Sequence, residues 1–257
     1  MKIEPVSFDF AGKKIGGFLY LPEGSGPFPS IIFVHGFGGG THELKNKFMC
    51  AELAKAGFLV FIFDFYDQPN GVSEIPIEQT TVSLQLKILK KAVDFISTHN
   101  QVDKDRIGLT GHSLGGMTVL LYAPIDPRVK TVVAQSPVSN FKQTVETRLG
   151  SLSEWKKQGY KIFDRSWGKM KINYSFVEDG WKYDVYNSAE KISCSVLVIH
   201  GDRDDMTIIN QSRELVQHLK KTDSLRIISN ADHTYSTKET LEEATKALVE
   251  FMKKILL

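Results

Sequence analysis

The chain has 257 residues, of which 42% are hydrophobic and 24% are charged, and its formal net charge is +2 at pH 7. A chain of this length and composition can bury a large core as one α/β domain or as two smaller domains. Because acidic and basic residues are interspersed, we expect neither a nucleic-acid surface nor an anionic-membrane surface. No stretch reaches the roughly 18 consecutive apolar residues of a membrane span.

The first ten residues, MKIEPVSFDF, lack the apolar run of a secretory signal. The two cysteines, Cys50 and Cys194, are far apart and do not have the spacing of a metal or redox pair. We therefore expect a cytoplasmic, reduced protein without a disulfide.

The predicted elements begin with two strands, VSFDFAG and KIGGFLYLP, which are followed by a turn-rich loop. Short apolar runs then predict six buried strands, at SIIFVHG, FLVFIFDF, RIGLTGHS, VKTVVAQSP, SVLVIHGD and SLRIISNAD. Helical periodicity predicts helices between and after them, at HELKNKFMCAELAKAG, TVSLQLKILKKAVDFISTHN, INQSRELVQHLKK and KETLEEATKALVEFMKKILL, with a further helix directly after Ser113. This alternation predicts an α/β fold with a mostly parallel, eight-stranded sheet and helices on both faces. Ligands of such sheets bind at the carboxyl ends of the strands.

Residues 141–187 interrupt the alternation, because this 47-residue segment lies between two predicted strands in place of a short helical crossover. They contain all three tryptophans and ten of the 27 aromatic residues of the chain. We interpret them as an inserted cap (lid) subdomain, mostly helical, that lies over the carboxyl edge of the sheet and contributes to the pocket. Residues 1–140 and 188–257 would form the core domain. The alternative is a helical decoration whose aromatic residues only pack it against the core.

A lone serine lies where a predicted strand runs directly into a helix, in RIGLTGHSLGGMTVL. Gly111 and Gly115 flank Ser113 at two residues on either side, and Gly116 leaves further room. A tight strand-to-helix turn strains the backbone of the turn residue, and a Cβ atom beside it would clash. The helix N-terminus favours negative charge at the hydroxyl. The G-x-S-x-G pattern in this context predicts a nucleophilic serine rather than a chance glycine–serine turn.

A serine hydroxyl needs a general base, and the base needs an acid that orients it. Three histidines follow Ser113, and we expect the base to be His233, in NADHTY after the last strand. His200 lies at a strand end, where we expect a packed and hydrogen-bonded side chain. His218 is close to two lysines on a helix and is expected in solvent.

The acid is expected between the serine and the histidine, in the loop DRDDM after SVLVIHG. We assign it to Asp204, with Asp205 as the alternative. Asp202 follows the strand-end glycine directly and is expected to stabilise the turn. Asp64, at the end of FLVFIFDF, precedes the serine and is expected to bind backbone groups instead.

Two backbone N–H groups are expected to bind the oxyanion of a tetrahedral intermediate. One belongs to Leu114, which follows the nucleophile, and the other to Phe37, in the glycine-rich loop HGFGGGTH. A phosphate site is the alternative for such a loop, but the loop matches neither the dinucleotide nor the P-loop pattern. His35 is expected to be structural.

Together, HGFGGG, DFYDQPNGVS, GHSLGG, HGDRDD and NADHTY resemble the motifs of the α/β-hydrolase superfamily, in its order and spacing over nearly the whole chain. The resemblance implies the α/β-hydrolase fold, with an insert between its sixth and seventh strands, and a triad of Ser113, Asp204 and His233. Within the superfamily the chain looks most like esterases related to cinnamoyl and feruloyl esterases. Dienelactone hydrolases, which use cysteine, and acylaminoacyl peptidases are near relatives. No N-terminal propeller is predicted, which disfavours a peptidase of the prolyl oligopeptidase type.

The resemblance predicts a serine carboxylic-ester hydrolase for small to medium acyl or aromatic, hydroxycinnamoyl-like esters, without a metal or an organic cofactor. The alternatives are amide or thioester cleavage by the same triad and a ligand-binding protein without turnover. Residues 141–187 carry nine Lys and Arg against six Asp and Glu, which fits an anionic substrate or a solvated helix face. The expected partner is a small-molecule ester, and both a monomer and a homodimer fit the sequence.

Overall fold

An eight-stranded sheet forms the centre of the computed structural model, which describes residues 1–165, 167–220 and 222–257. The strands of the chain are β1 (Lys2–Phe10), β2 (Lys13–Leu21), β3 (Phe28–Val34), β4 (Leu59–Phe63), β5 (Val102–His112), β6 (Val129–Gln135), β7 (Tyr160–Arg165), β8 (Gly168–Asn173), β9 (Ser195–Gly201) and β10 (Thr222–Ile228). The sheet order is β1-β2-β4-β3-β5-β6-β9-β10. The β1/β2 and β2/β4 pairs are antiparallel, and the pairs from β4 to β10 are parallel. The prediction of a mostly parallel eight-stranded sheet is confirmed.

Helices cover both faces of this sheet. They are α1 (Leu44–Lys55), α2 (Val82–Ser97), α3 (Leu114–Tyr122), α4 (Phe141–Arg148), α5 (Leu152–Gln158), α6 (Ser175–Gly180), α7 (Val185–Ala189), α8 (Ile209–Leu215) and α9 (Lys238–Leu256). Helices α1 and α9 enclose one apolar core, and α2 and α3 enclose a larger one on the opposite face. The strands between the two cores are apolar on both sides, and all five residues of β4 are buried. In the described part of the chain, no helix combines the length and the apolar character that crossing a membrane requires.

Two predicted elements differ in length from those in the structure. Strand β1 begins at Lys2, four residues before the predicted strand, because its pairing with β2 continues to Leu21. The helix predicted for INQSRELVQHLKK is shorter, since α8 ends at Leu215 and a 3₁₀ turn, Val216–His218, follows. The last residue of that predicted helix, 221, lies outside the described residues.

The predicted insert contains helices α4 to α6, the start of α7, and also a hairpin, since β7 and β8 pair antiparallel. Helical periodicity did not indicate this hairpin. Its buried side chains, Met170 and Ile172, join the larger core, and the Trp155 indole donates to the Ile172 carbonyl at 3.1 Å. Residue 166, at the hairpin turn, lies outside the described residues.

A carboxylate attaches the insert to the N-terminus of α2. Asp179 accepts hydrogen bonds from the backbone N–H and the hydroxyl of Ser83, both at 2.7 Å. The Tyr183 hydroxyl lies 2.6 Å from the same serine oxygen. These contacts connect the insert to the first turn of α2.

Candidate active site

The turn between β5 and α3 has the geometry that its glycines imply. Ser113 has φ 57° and ψ −116°, outside the regions that a serine prefers. A Cβ atom on Gly111 would lie 2.2 Å from the carbonyl oxygen of Gly115, and one on Gly115 would lie 2.3 Å from that of Val34. Glycine is therefore required on both sides of the serine.

The structure brings three predicted residues into one hydrogen-bonded chain. Nε2 of His233 lies 2.9 Å from Oγ of Ser113, and Nδ1 of His233 lies 2.7 Å from Oδ2 of Asp204. Asp204 is buried, whereas Asp202 and Asp205 are exposed. The hydrogen-bond network indicates that Nδ1 carries the proton and that the serine hydroxyl donates to Nε2.

The carboxylate of Asp204 is held by several donors besides His233. Its Oδ1 accepts from the backbone N–H groups of Met206 and Thr207, both at 2.9 Å, and its Oδ2 accepts from the Thr207 hydroxyl at 2.9 Å. Burial alone would raise the pKa of Asp204, but hydrogen bonds from His200 and His233 outweigh it and hold the pKa far below its usual range. These hydrogen bonds favour the charged carboxylate of Asp204.

The two other histidines after the serine have separate environments. His200 is fully buried, with Nδ1 2.7 Å from Oγ of Ser212 and Nε2 2.7 Å from the carbonyl oxygen of Thr207. Its Nε2 also lies 3.2 Å from Oδ2 of Asp204, a contact that the sequence did not predict. His218 pairs with a surface glutamate instead.

Two backbone donors face the same pocket as the serine. Among the described residues, the N–H groups of Phe37 and Leu114 donate to no protein acceptor, and both residues line the pocket. Phe37 lies in a turn that the N–H of Gly39 closes by donating to the carbonyl of Gly36 at 3.1 Å. Gly38 in this turn has φ +72°, which favours glycine. The two free donors can bind an oxyanion.

The pocket at the serine is small, with a cavity volume of about 60 Å³. In the described part of the chain its lining contains no aspartate, glutamate, lysine or arginine side chain. The lining residues are Phe37, Ser113, Leu114, Val138, Phe141, Thr144, Val145, Leu149, Phe176, Met206, Thr207 and His233. The chemistry of this lining favours an apolar group.

A larger cleft, of about 570 Å³, is also lined by Phe141. Its lining includes Trp181, Tyr183 and Tyr186, but neither Ser113 nor His233. Of these two cavities, only the smaller pocket is lined by Ser113 and His233.

A further histidine, which the sequence did not single out, supports the loop that carries His233. The Nε2–H of His112 donates to the carbonyl oxygen of His233 at 2.7 Å, and the two rings are 4.8 Å apart. Burial, followed by the charges of Lys45 and His233, lowers the pKa of His112 well below its ordinary value. A neutral His112 beside Ser113 therefore connects the nucleophile strand to the histidine loop.

His35 is hydrogen-bonded within the glycine-rich loop. Its Nε2 accepts the N–H of Phe65 at 3.1 Å, so its Nδ1 carries a proton and donates to the carbonyl oxygen of Gly36 at 2.8 Å. Burial lowers the pKa of His35 below its ordinary value, although the charge of Asp64 opposes this effect. A neutral imidazole is the form that both hydrogen bonds require.

Asp64 binds backbone groups. It accepts the N–H of Thr41 at 2.7 Å and the N–H of Val72 at 2.9 Å. These bonds connect the glycine-rich loop to the loop after β4.

Two family models match this chain. The prolyl oligopeptidase family matches residues 86–257, and the dienelactone hydrolase family matches residues 15–151. Each match covers more than half of the chain.

Curated relatives are similar over part of their length. An uncharacterized 31.7 kDa protein of Escherichia coli is 26% identical over 229 residues, which are 76% of this chain and 79% of that protein. Human acyl-coenzyme A thioesterase 1 is 32% identical over 51% of this chain and 29% of its own length. A putative carboxymethylenebutenolidase of Methylorubrum extorquens is 31% identical over 47% of this chain and 44% of its own length. The match thus spans less than half of the length of these two named relatives.

Solved structures are similar over nearly the whole chain. Est1E from Butyrivibrio proteoclasticus with bound ferulic acid has a TM-score of 0.85 and 24% identity, over 97% of this chain and 98% of that one. Dienelactone hydrolase from Anabaena variabilis has a TM-score of 0.71 and 19% identity, over 100% and 99%. These likenesses establish the fold, and the predicted α/β-hydrolase fold is confirmed. The chain therefore belongs to the α/β-hydrolase superfamily and, within it, matches both the prolyl oligopeptidase and the dienelactone hydrolase families. It is an esterase-type serine hydrolase.

Proposed function

We propose that this protein hydrolyses carboxylic esters of small to medium acyl or aromatic acids through Ser113, His233 and Asp204. The observation that carries the proposal is the continuous chain from Asp204 to His233 at 2.7 Å and from His233 to Ser113 at 2.9 Å. The serine at the end of this chain lines an apolar pocket together with Phe37 and Leu114, whose N–H groups have no acceptor among the described residues.

Acylation begins when His233 accepts the hydroxyl proton of Ser113 and Oγ attacks the ester carbonyl carbon. The N–H groups of Phe37 and Leu114 donate to the resulting oxyanion. The carbon–oxygen bond to the alcohol then breaks, and the alcohol leaves with the proton from His233. The charged Asp204 stabilises the imidazolium in between.

Deacylation repeats the same steps with water as the nucleophile. His233 takes a proton from water as the oxygen attacks the acyl-enzyme carbonyl. The bond to Ser113 breaks, Oγ recovers the proton from His233, and the carboxylic acid leaves. No step needs a group other than these side chains, two backbone donors and water.

The acyl group is proposed to occupy the pocket of apolar side chains. Residues 141–187 are proposed to act as a cap, because they supply Phe141, Thr144, Val145, Leu149 and Phe176 to this pocket. The described lining, without a carboxylate, lysine or arginine, favours an uncharged acyl group over an anionic one. The ferulic acid bound to the similar Est1E supports a flat aromatic acid as one candidate.

Thioester cleavage is a second candidate, because two curated relatives are named acyl-coenzyme A thioesterase 1 and peroxisomal succinyl-coenzyme A thioesterase. The match to the prolyl oligopeptidase family likewise brings amides into consideration. The acyl-transfer steps are shared, and only the leaving group differs. A comparison of ester, thioester and amide substrates therefore decides between these three activities.

The test is hydrolysis of p-nitrophenyl esters from acetate to palmitate, with methyl ferulate, an acyl-coenzyme A thioester and an acyl p-nitroanilide alongside. We expect esters to give the largest kcat/KM, with a maximum at short or aromatic acyl groups. Ser113→Ala and His233→Ala should abolish turnover, whereas His218→Ala, a histidine outside the pocket, should leave it unchanged. A wild-type protein that cleaves no ester, or a Ser113→Ala variant that still does, refutes the proposal.

A further inference from the structure

The peptide between Gly36 and Phe37 has three hydrogen-bond donors around its carbonyl oxygen. The carbonyl oxygen of Gly36 lies 2.8 Å from Nδ1 of His35, 3.1 Å from the N–H nitrogen of Gly39 and 3.3 Å from the hydroxyl of Tyr66. All three groups can donate a hydrogen bond to it.

The N–H of this peptide belongs to Phe37 and is the proposed oxyanion donor. In a trans peptide the C=O and N–H bonds point in opposite directions within one plane. Donors on the Gly36 oxygen therefore fix the direction of the Phe37 N–H. A Cβ atom on Gly36 would lie 3.2 Å from Cβ of Ser113, so this peptide lies directly beside the nucleophile.

The Tyr66 hydroxyl holds the peptides on both sides of Phe37. It accepts the N–H of Gly38 at 2.7 Å while it donates to the carbonyl of Gly36. The side chain is fully buried, and its ring packs edge-on against His35 at 5.3 Å. Tyr66 follows β4, so it is attached to the sheet independently of the glycine-rich loop that it holds.

We propose that the Tyr66 hydroxyl is a positioning group of the oxyanion hole, which aims the Phe37 N–H at the substrate carbonyl oxygen. Tyr66 touches no substrate atom and acts through the backbone of Phe37. The inference rests on the proposed function, since the N–H has this role only if an oxyanion forms at the serine.

A positioning role predicts a loss confined to the transition state. Removal of a whole oxyanion donor typically costs about 10²- to 10³-fold in kcat. Tyr66 is one of three groups on the Gly36 oxygen, so its loss should misdirect the donor rather than remove it. We expect Tyr66→Phe to lower kcat about tenfold and to leave KM within about twofold.

The experiment compares Tyr66→Phe with Tyr122→Phe, which also loses a buried, hydrogen-bonded hydroxyl but at the far end of α3. We measure kcat and KM of both variants with the ester that the wild type hydrolyses most efficiently. A trifluoromethyl ketone that adds to the serine gives a Ki sensitive to the oxyanion, and an ether analogue of the ester gives a Kd that is not. We expect the ketone Ki to rise about tenfold in Tyr66→Phe alone and the ether Kd to stay unchanged in both variants.

Thermal unfolding of both variants separates positioning from stability. A kcat and ketone Ki in Tyr66→Phe equal to those of the wild type overturn the inference, as does an equal loss in Tyr122→Phe. A Ser113→Ala variant runs beside them. If it is inactive while Tyr66→Phe resembles the wild type, only this inference fails; if it still hydrolyses the ester, the proposed function fails as well.

Discussion

Replacement of Asp204 by asparagine is the most direct perturbation of the proposed triad, because the side chain keeps its shape and loses its charge. One carboxylate oxygen, Oδ2, accepts both the His233 Nδ1–H at 2.7 Å and the Thr207 hydroxyl at 2.9 Å. The other accepts two backbone N–H groups at 2.9 Å. Whichever way the amide of Asp204→Asn is turned, its NH₂ group faces donors, and the carbonyl can satisfy only one side.

The expected magnitude follows from the charge on the base. During acylation His233 becomes an imidazolium, and Asp204 is the buried carboxylate that contacts it. Loss of this charge, with the wrong histidine tautomer favoured, lowers kcat by about 10⁴-fold in triads of this kind. That factor corresponds to roughly 5 kcal/mol of transition-state stabilisation. KM should change little, since neither carboxylate oxygen of Asp204 is expected to contact the substrate.

The assay is kcat and kcat/KM on the best p-nitrophenyl ester, with denaturant unfolding to measure stability. Asp205→Asn, one residue away and exposed, is the matched control and should retain full activity. An Asp204→Asn variant within tenfold of the wild type, or a large loss in Asp205→Asn, would refute the assignment of the acid. It would indicate that Asp205 reaches His233 in solution.

Three further predictions concern the surroundings of the triad. Burial depresses the pKa of His112, so folded protein loses stability as the pH falls below about 6.5, where the unfolded imidazole becomes protonated. His112→Gln, which keeps a donor but does not titrate, should reduce the pH dependence of urea unfolding between pH 7 and 5. Phe141→Ala should join the catalytic pocket to the outer cleft and raise kcat/KM for octanoate over butyrate esters about tenfold. Gly115→Ala, with its Cβ at 2.3 Å from a carbonyl oxygen, should lose soluble folded protein, as circular dichroism and expression yield would report.

The parts of the site that lie on single strand ends could be predicted from sequence. Ser113, His233 and Asp204 follow β5, β10 and β9, and parallel strands bring their carboxyl ends to one edge of a sheet. Glycine spacing and chain order then select residue types at those ends. Local patterns of the same kind, apolar runs and helical periodicity, predicted the buried strands and the helices between them.

Contacts between distant segments left no local pattern. The hydrogen bond from His112 to the His233 carbonyl joins residues 121 positions apart, and neither sequence neighbourhood indicates it. The hydroxyl of Tyr66 reaches Gly36 and Gly38 in the same way. The β7–β8 hairpin was missed because only Met170 and Ile172 of β8 are buried, too few for a clear alternation.

The side chain of Phe37 connects the glycine-rich loop with the insert. The ring of Phe37 stacks on Phe176 at 5.0 Å and meets Phe163 edge-on at 5.5 Å, and both belong to the insert. The guanidinium of Arg165, at the end of β7, lies 5.5 Å from the centre of the same ring. Tyr66 binds the peptides on both sides of Phe37, and aromatic side chains of the insert pack against its ring. The proposed acyl pocket and the proposed oxyanion donor are therefore coupled through Phe37. Substitutions in the insert that enlarge the pocket should therefore change kcat as well as acyl preference.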